Sequence, residues 1–94
     1  MKPTALFINT ARGGIVDHQA LTNALKSKTI AAAGLDVTDP EYLPLDSELL
    51  KLDNCTVLPH LGSATVETRE AMAALAVENL RRGARGEELV AEVK

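Results

Sequence analysis

Arg12, Asp36, Glu41 and His60 are the side chains whose types and settings in this sequence point to chemistry. His60 ends the run Thr56-Val57-Leu58-Pro59, and the small residues Gly62-Ser63-Ala64-Thr65 follow it. Histidine titrates near neutral pH, so an imidazole held at a strand end can move a proton during turnover. Such a ring needs an orienting partner, and a carboxylate that accepts its second N–H also stabilises the imidazolium. Glu41, in the loop after the second apolar run, is placed for that role, although an acid in a loop is more often simply solvated. Arg12 offers a planar fork of donors that suits a carboxylate and stays charged at any working pH. In the turn Arg12-Gly13-Gly14 it serves equally well as surface, and the glycines as turn residues or as a place of close backbone approach. Asp36 either caps a loop or meets a ligand amide. The Gly62–Thr65 stretch opens a helix whose free N–H groups favour a polar ligand, though most helix starts bind nothing.

These groups act together only if the elements carrying them converge. Ala5-Leu6-Phe7-Ile8 is a continuous apolar run, which predicts a strand covered on both faces. Asp17 is an N-cap for a helix to about Lys28, with Ala20, Leu21, Ala24 and Leu25 as its apolar stripe. Ile30 to Val37 is the second strand run, and Asp39 to Pro44 is a loop, since each proline biases its predecessor away from helix. A short helix from about Ser47 to Leu52 and a third strand, Cys55 to Leu58, come next. A long helix from about Thr65 to Arg82 carries Met72, Ala73, Ala76 and Leu80 on one face and is expected to end at Gly83. Strands alternating with helices predict an α/β fold with a parallel sheet and right-handed crossovers. The strand C-terminal ends then share one edge, where ligands of open α/β sheets bind. Arg12, Asp36 and His60 each follow a strand and so belong to that edge.

Ninety-four residues suffice for one small domain. The chain is 46% hydrophobic but only 2% aromatic, Phe7 and Tyr42, so its core must be aliphatic. A net charge of −3 gives no basic field for nucleic acid or anionic lipid. The basic cluster Arg81, Arg82 and Arg85 suits a helix C-terminus. Cys55 stands alone, which excludes an internal disulfide or a thiolate cluster, and reads as a buried, inert thiol. Asn54-Cys55-Thr56 matches a glycosylation sequon, here read as a chance match. The longest apolar stretch, Ala71 to Val77, is too short to span a bilayer, and the chain reads as soluble and cytoplasmic.

Three segments, "FINTARGGIVDHQAL", "AAAGLDVTDPE" and "LPHLGSATVETREAMAALAVENL", together resemble the C-terminal part of the D-isomer-specific 2-hydroxyacid dehydrogenase family, and within it the glyoxylate/hydroxypyruvate reductases. The resemblance covers nearly the whole chain. It implies the second half of a Rossmann-type doubly wound sheet, three parallel strands with crossover helices, plus a long C-terminal helix. Residues 1–94 would then be part of an NAD(P)-binding domain, without its glycine-rich half and without a substrate domain. No G-x-G-x-x-G occurs, and Met1 reads as an internal methionine. The resemblance places the catalytic arginine, glutamate and histidine at Arg12, Glu41 and His60. Cofactor contacts fall at Thr10, Ala11, Arg12, Asp36, His60 and Gly62, and substrate contacts at Arg12, His60 and Ser63. It further implies NADP or NAD, with NADPH favoured, small 2-oxo acid substrates, and a homodimer for the complete protein. A dinucleotide-sensing, corepressor-like module and an inert truncated product are the alternatives. Relatives often carry proline where Tyr42 stands, so a looser loop is expected after Glu41.

Overall fold

The computed structural model describes residues 1–93 and divides into two compact units, Met1–Gly62 and a second that begins at Ser63. In the first unit β1 (Leu6–Asn9) leads through a 3-10 turn, Gly13–Ile15, to α1 (His18–Lys26) and β2 (Ala32–Leu35). A short α2 (Glu48–Lys51) precedes β3 (Cys55–Val57). The strands form one parallel sheet in the order β1-β2-β3, with Ile8 opposite Gly34 and Gly34 opposite Thr56. This is the three-stranded α/β sheet that the strand–helix alternation predicts.

Alternation along the strands decides which side is covered. Ala33 and Leu35 turn to a core with Leu21, Leu25, Ile30 and Leu49, and Phe7, Cys55 and Val57 pack against it. Leu25 and Leu35 are the largest fully buried side chains, each contributing roughly 1.5–3 kcal/mol of transfer free energy. The other face is open: Leu6 and Ile8 are 65% and 66% exposed, so β1 is covered on one face and not on both. Gly34 lies under the Ile8 side chain, where an added Cβ would come within 3.1 Å of its Cδ1.

Asp17 caps α1 by accepting the Ala20 N–H at 2.9 Å. Leu21, Thr22 and Leu25 are buried, whereas Ala20, expected in the stripe, is exposed. The helix stops at Lys26, earlier than expected, because Lys28 turns left-handed at φ 54°. The Thr29 N–H then reaches the Ala24 carbonyl at 2.9 Å and Lys28 N–H the Leu25 carbonyl at 3.2 Å, a Schellman ending without glycine. Asn54 serves the fold: its amide donates to the Leu25 and Ala31 carbonyls at 3.1 and 3.2 Å.

In the second unit α3 (Val66–Ala84) is capped by Thr65, which accepts the Thr68 N–H. It passes through Gly83, expected to end it, and closes at Gly86, where φ is 70°. Again the ending is a Schellman motif, Glu87 N–H to Arg82 carbonyl and Gly86 N–H to Gly83 carbonyl. No α3 residue is buried, so the expected apolar face of Met72, Ala73, Ala76 and Leu80 covers nothing in this unit. Its polar side instead holds the following segment: Asn79 Oδ1 accepts from the Val90 and Ala91 N–H groups.

Candidate active site

Thr10–Arg12, Asp36 and His60 follow β1, β2 and β3, and parallel pairing puts all three connections at one edge of the sheet. The turn after β1 is shaped by Asn9, which is 5% exposed. Its Oδ1 accepts the Ala11 N–H and its Nδ2 donates to the Arg12 carbonyl, both at 3.0 Å. Its own carbonyl accepts the Asp36 N–H at 2.9 Å and ties β1 to β2. Sequence reasoning gave Asn9 no role; the available signal was an amide side chain closing an apolar strand just before a turn. Arg12 is exposed, and its Nη1 donates to the Ala11 carbonyl at 2.7 Å.

Gly13 has a specific reason to lack a side chain. A Cβ there would lie 2.0 Å from the Thr38 carbonyl carbon and 2.5 Å from the Asp39 nitrogen. Close approach is indeed what the glycine permits, but the approaching group is the chain's own backbone.

Asp36 is 7% exposed, and its oxygens are both engaged. Oδ1 accepts the Leu61 N–H and Oδ2 the Gly62 N–H, each at 2.7 Å. Charge-assisted bonds of this length are among the stronger ones available to a chain. Asp36 therefore holds the turn after His60, and the Gly62 N–H is not a free helix-start donor. Immediately before these anchored amides His60 sits in the left-handed region, φ 61°, at a cost on the order of 1 kcal/mol. Its Nδ1 is hydrogen-bonded to Glu41 Oε1. A carboxylate only accepts, so Nδ1 carries the hydrogen. Nε2 has no hydrogen-bond partner among the described residues. The pair is half-exposed, 36% for the His60 side chain and 46% for Glu41.

Tyr42 is left-handed too, at φ 64°. Proline's fixed φ of about −65° could not be accommodated there. The expected looseness does not separate the pair: Glu41 still meets His60.

Asp36, Glu41 and His60 line one cavity of about 230 Å³, together with apolar side chains that include Val37, Leu43 and Leu58. Thr10, Ala11, Arg12, Gly62 and Ser63 do not line it. Ser63 belongs to the second unit, where its carbonyl accepts from the Thr65 N–H and from Arg69 Nε. Cys55, half-buried at the start of β3, has its thiol pushed up by desolvation, which makes it a poor nucleophile. Among the described residues no group of three or more His, Cys, Asp or Glu side chains is placed to hold a metal ion, and no helix is long and apolar enough to cross a membrane.

The chain is similar to known proteins in both sequence and fold. Residues 1–62 match the family described as D-isomer specific 2-hydroxyacid dehydrogenase, NAD binding domain. Over 94 residues the chain is 55% identical to the glyoxylate reductase/hydroxypyruvate reductase of Mus musculus, covering 100% of this chain and 29% of that protein. It is 64% identical over 80 residues to glyoxylate/hydroxypyruvate reductase B of Enterobacter agglomerans, covering 85% of this chain and 25% of that one. Among solved structures, the NADPH-dependent glyoxylate/hydroxypyruvate reductase of Sinorhizobium meliloti, in complex with NADP and malonate, is similar at a TM-score of 0.87 and 43% identity. That likeness covers 97% of this chain and 28% of the other. The chain thus spans less than a third of the length of these relatives.

Proposed function

Because this chain belongs to the D-isomer specific 2-hydroxyacid dehydrogenase family, through its NAD-binding domain, we propose that it supplies the proton-transfer half of the active site in a reductase of small 2-oxo acids, glyoxylate and hydroxypyruvate among them. The observation that carries this reading is the Glu41–His60 pair at the C-terminal edge of a parallel sheet. His60 holds a proton at Nε2 and gives it to the substrate's carbonyl oxygen as that oxygen becomes a hydroxyl. Glu41, accepting Nδ1–H, fixes the ring's orientation and balances the charge of the imidazolium. Arg12 takes the substrate's carboxylate in its fork, exchanging its present bond to the Ala11 carbonyl for two charge-assisted ones.

The cavity fits one end of a dinucleotide. At about 230 Å³ it is below the roughly 300–1,000 Å³ of usual ligand pockets, so it admits a nicotinamide ring or a short 2-oxo acid. When bound, reduced NADP or NAD supplies the hydride. NADPH is the favoured form, since the similar Sinorhizobium meliloti enzyme is NADPH-dependent. In this reading Thr10, Ala11 and Arg12 flank the cofactor from the β1 side. Asp36 and Gly62 shape the opposite wall through the turn they hold. Residues 1–94 form the C-terminal part of the NAD(P)-binding domain, and the complete protein works as a cytoplasmic homodimer.

The test is a chimaera in which this segment replaces its counterpart in the Sinorhizobium meliloti reductase. It should reduce glyoxylate with NADPH. His60→Ala in that background should lower kcat by at least about 100-fold while leaving cofactor affinity within a factor of about two. Near-normal turnover in His60→Ala would remove the assignment.

A further inference from the structure

Glu41 reaches His60 only because the loop before it is held in place, and the restraint comes from a residue far from both in sequence. His18, at the first position of α1, lies with its ring between two backbone groups. Nδ1 is 3.0 Å from the Val16 carbonyl oxygen, and the Asp39 N–H donates to Nε2 at 3.3 Å. The two contacts together determine the ring's state. A carbonyl can only accept, so Nδ1 carries the hydrogen; an amide N–H can only donate, so Nε2 is bare. The neutral Nδ1–H form satisfies both partners and the other forms do not.

Asp39 is two residues before Glu41, and the intervening backbone is also constrained. The Thr38 hydroxyl, on a buried side chain, donates to the Pro40 carbonyl at 2.9 Å. Gly13 brings the backbone before α1 against Thr38 and Asp39. The amide of Asp39 is the loop's attachment to α1, and α1 is anchored in the core by Leu21 and Leu25. His18 is itself tied into the first turn of that helix, its carbonyl accepting from the Thr22 hydroxyl at 2.7 Å.

We propose that His18 is a positioning residue for the Glu41–His60 pair: its Nε2 holds the Asp39 amide, fixing the loop so that the Glu41 carboxylate meets His60 Nδ1. The proposal rests on the functional reading above for what Glu41 does. Geometry alone carries the relay from α1 through Asp39 to Glu41 and on to His60. His18 touches no reacting group, so it acts only through Glu41.

Long-range nitrogen–proton correlation spectra of the histidines in the purified chain test this without any substrate. At pH of about 8.5, two units above the free imidazole value of about 6.5, an unheld ring is neutral and free to change tautomer. In the unaltered chain both His18 and His60 should show protonated Nδ1. His18→Leu removes the acceptor for the Asp39 amide and should abolish the Nδ1-protonated signature of His60. His18→Gln, whose side-chain oxygen reaches about as far as Nε2, should restore it. If His18→Leu loses the dispersed amide spectrum of a folded sheet, His18→Asn, too short to reach Asp39, gives the same reading. A folded His18→Leu or His18→Asn chain in which His60 keeps its Nδ1 hydrogen overturns the proposal, as does loss of that hydrogen in folded His18→Gln. An inactive chimaera alongside the expected spectra would leave the relay standing and remove only the reductase assignment.

Discussion

Three connections share one edge of the sheet, and the first is finished in the opposite way to the other two. After β2 and β3, the chain closes on itself: Asp36 holds two N–H groups, Glu41 meets His60, and His18 holds Asp39. After β1, Asn9 folds the turn, yet the Arg12 guanidinium finds only the carbonyl of its own neighbour. The difference matches the role proposed for each region. A proton-transfer pair depends on fixed orientation and is worth building in advance. The carboxylate clamp proposed for Arg12 exchanges one exposed internal bond for two to the ligand, so its donors are left accessible.

Three substitutions probe that contrast, beginning with the most damaging. Gly13→Ala places a methyl inside the Thr38 backbone, which cannot yield as a flexible side chain would. Loss of about 4 kcal/mol or more in urea unfolding is expected, together with loss of the Glu41–His60 pairing. A small change would mean the first two connections are not in contact. Asp36→Asn keeps one acceptor oxygen but turns an NH₂ group toward an N–H donor. Destabilisation of about 2 kcal/mol should follow, and amide exchange at Leu61 and Gly62 should quicken. Unaltered exchange there would show that the clamp does not hold the turn. Arg12→Lys keeps the charge and loses the fork, so in the chimaera KM for glyoxylate should rise about 10-fold with the midpoint of unfolding unmoved. A shifted midpoint with unchanged KM would make Arg12 structural and erase the contrast.

Much of this arrangement is legible in the sequence because it depends on periodicity and capping. Asp17 caps the helix expected of it, the long helix starts at the expected place with Thr65 as its cap, and the apolar runs at Leu6, Ala32 and Cys55 form the strands. Where the sequence misleads, a tertiary or backbone effect prevails over local preference. Lys28 enters the left-handed region, usually reserved for glycine, because the Thr29 N–H then satisfies the Ala24 carbonyl. Gly83 continues α3 because Gly86 is the residue that supplies the turn. Met72, Ala73, Ala76 and Leu80 form the apolar face expected of α3 yet stay unburied, because a pattern states what a helix can cover and not whether anything lies against it. Of the site, side-chain types and strand ends are readable; they leave Glu41 open between a solvated loop acid and a partner of His60, and the contact itself appears only in the fold. The bonds that Asp36 accepts from Leu61 and Gly62 and that His18 accepts from Asp39 are not readable, because each joins residues that become neighbours only once the sheet has formed, whereas the Asn9 turn is local and its signal was in the sequence.

The strand order also bears on how the site comes into being. In β1-β2-β3 every strand pairs only with its neighbours in sequence, so no pairing waits for a strand to be inserted between two others. Sheets of this kind can grow in the direction of synthesis, each closure adding one connection of moderate length to an edge that already exists. His60 follows the last strand, and its partner Glu41 and the clamp at Asp36 lie in the connection just before that strand. Within this sheet His60 is therefore the later partner to be placed, and a chain arrested before β3 docks would carry both Glu41 and His60 without the hydrogen bond between them.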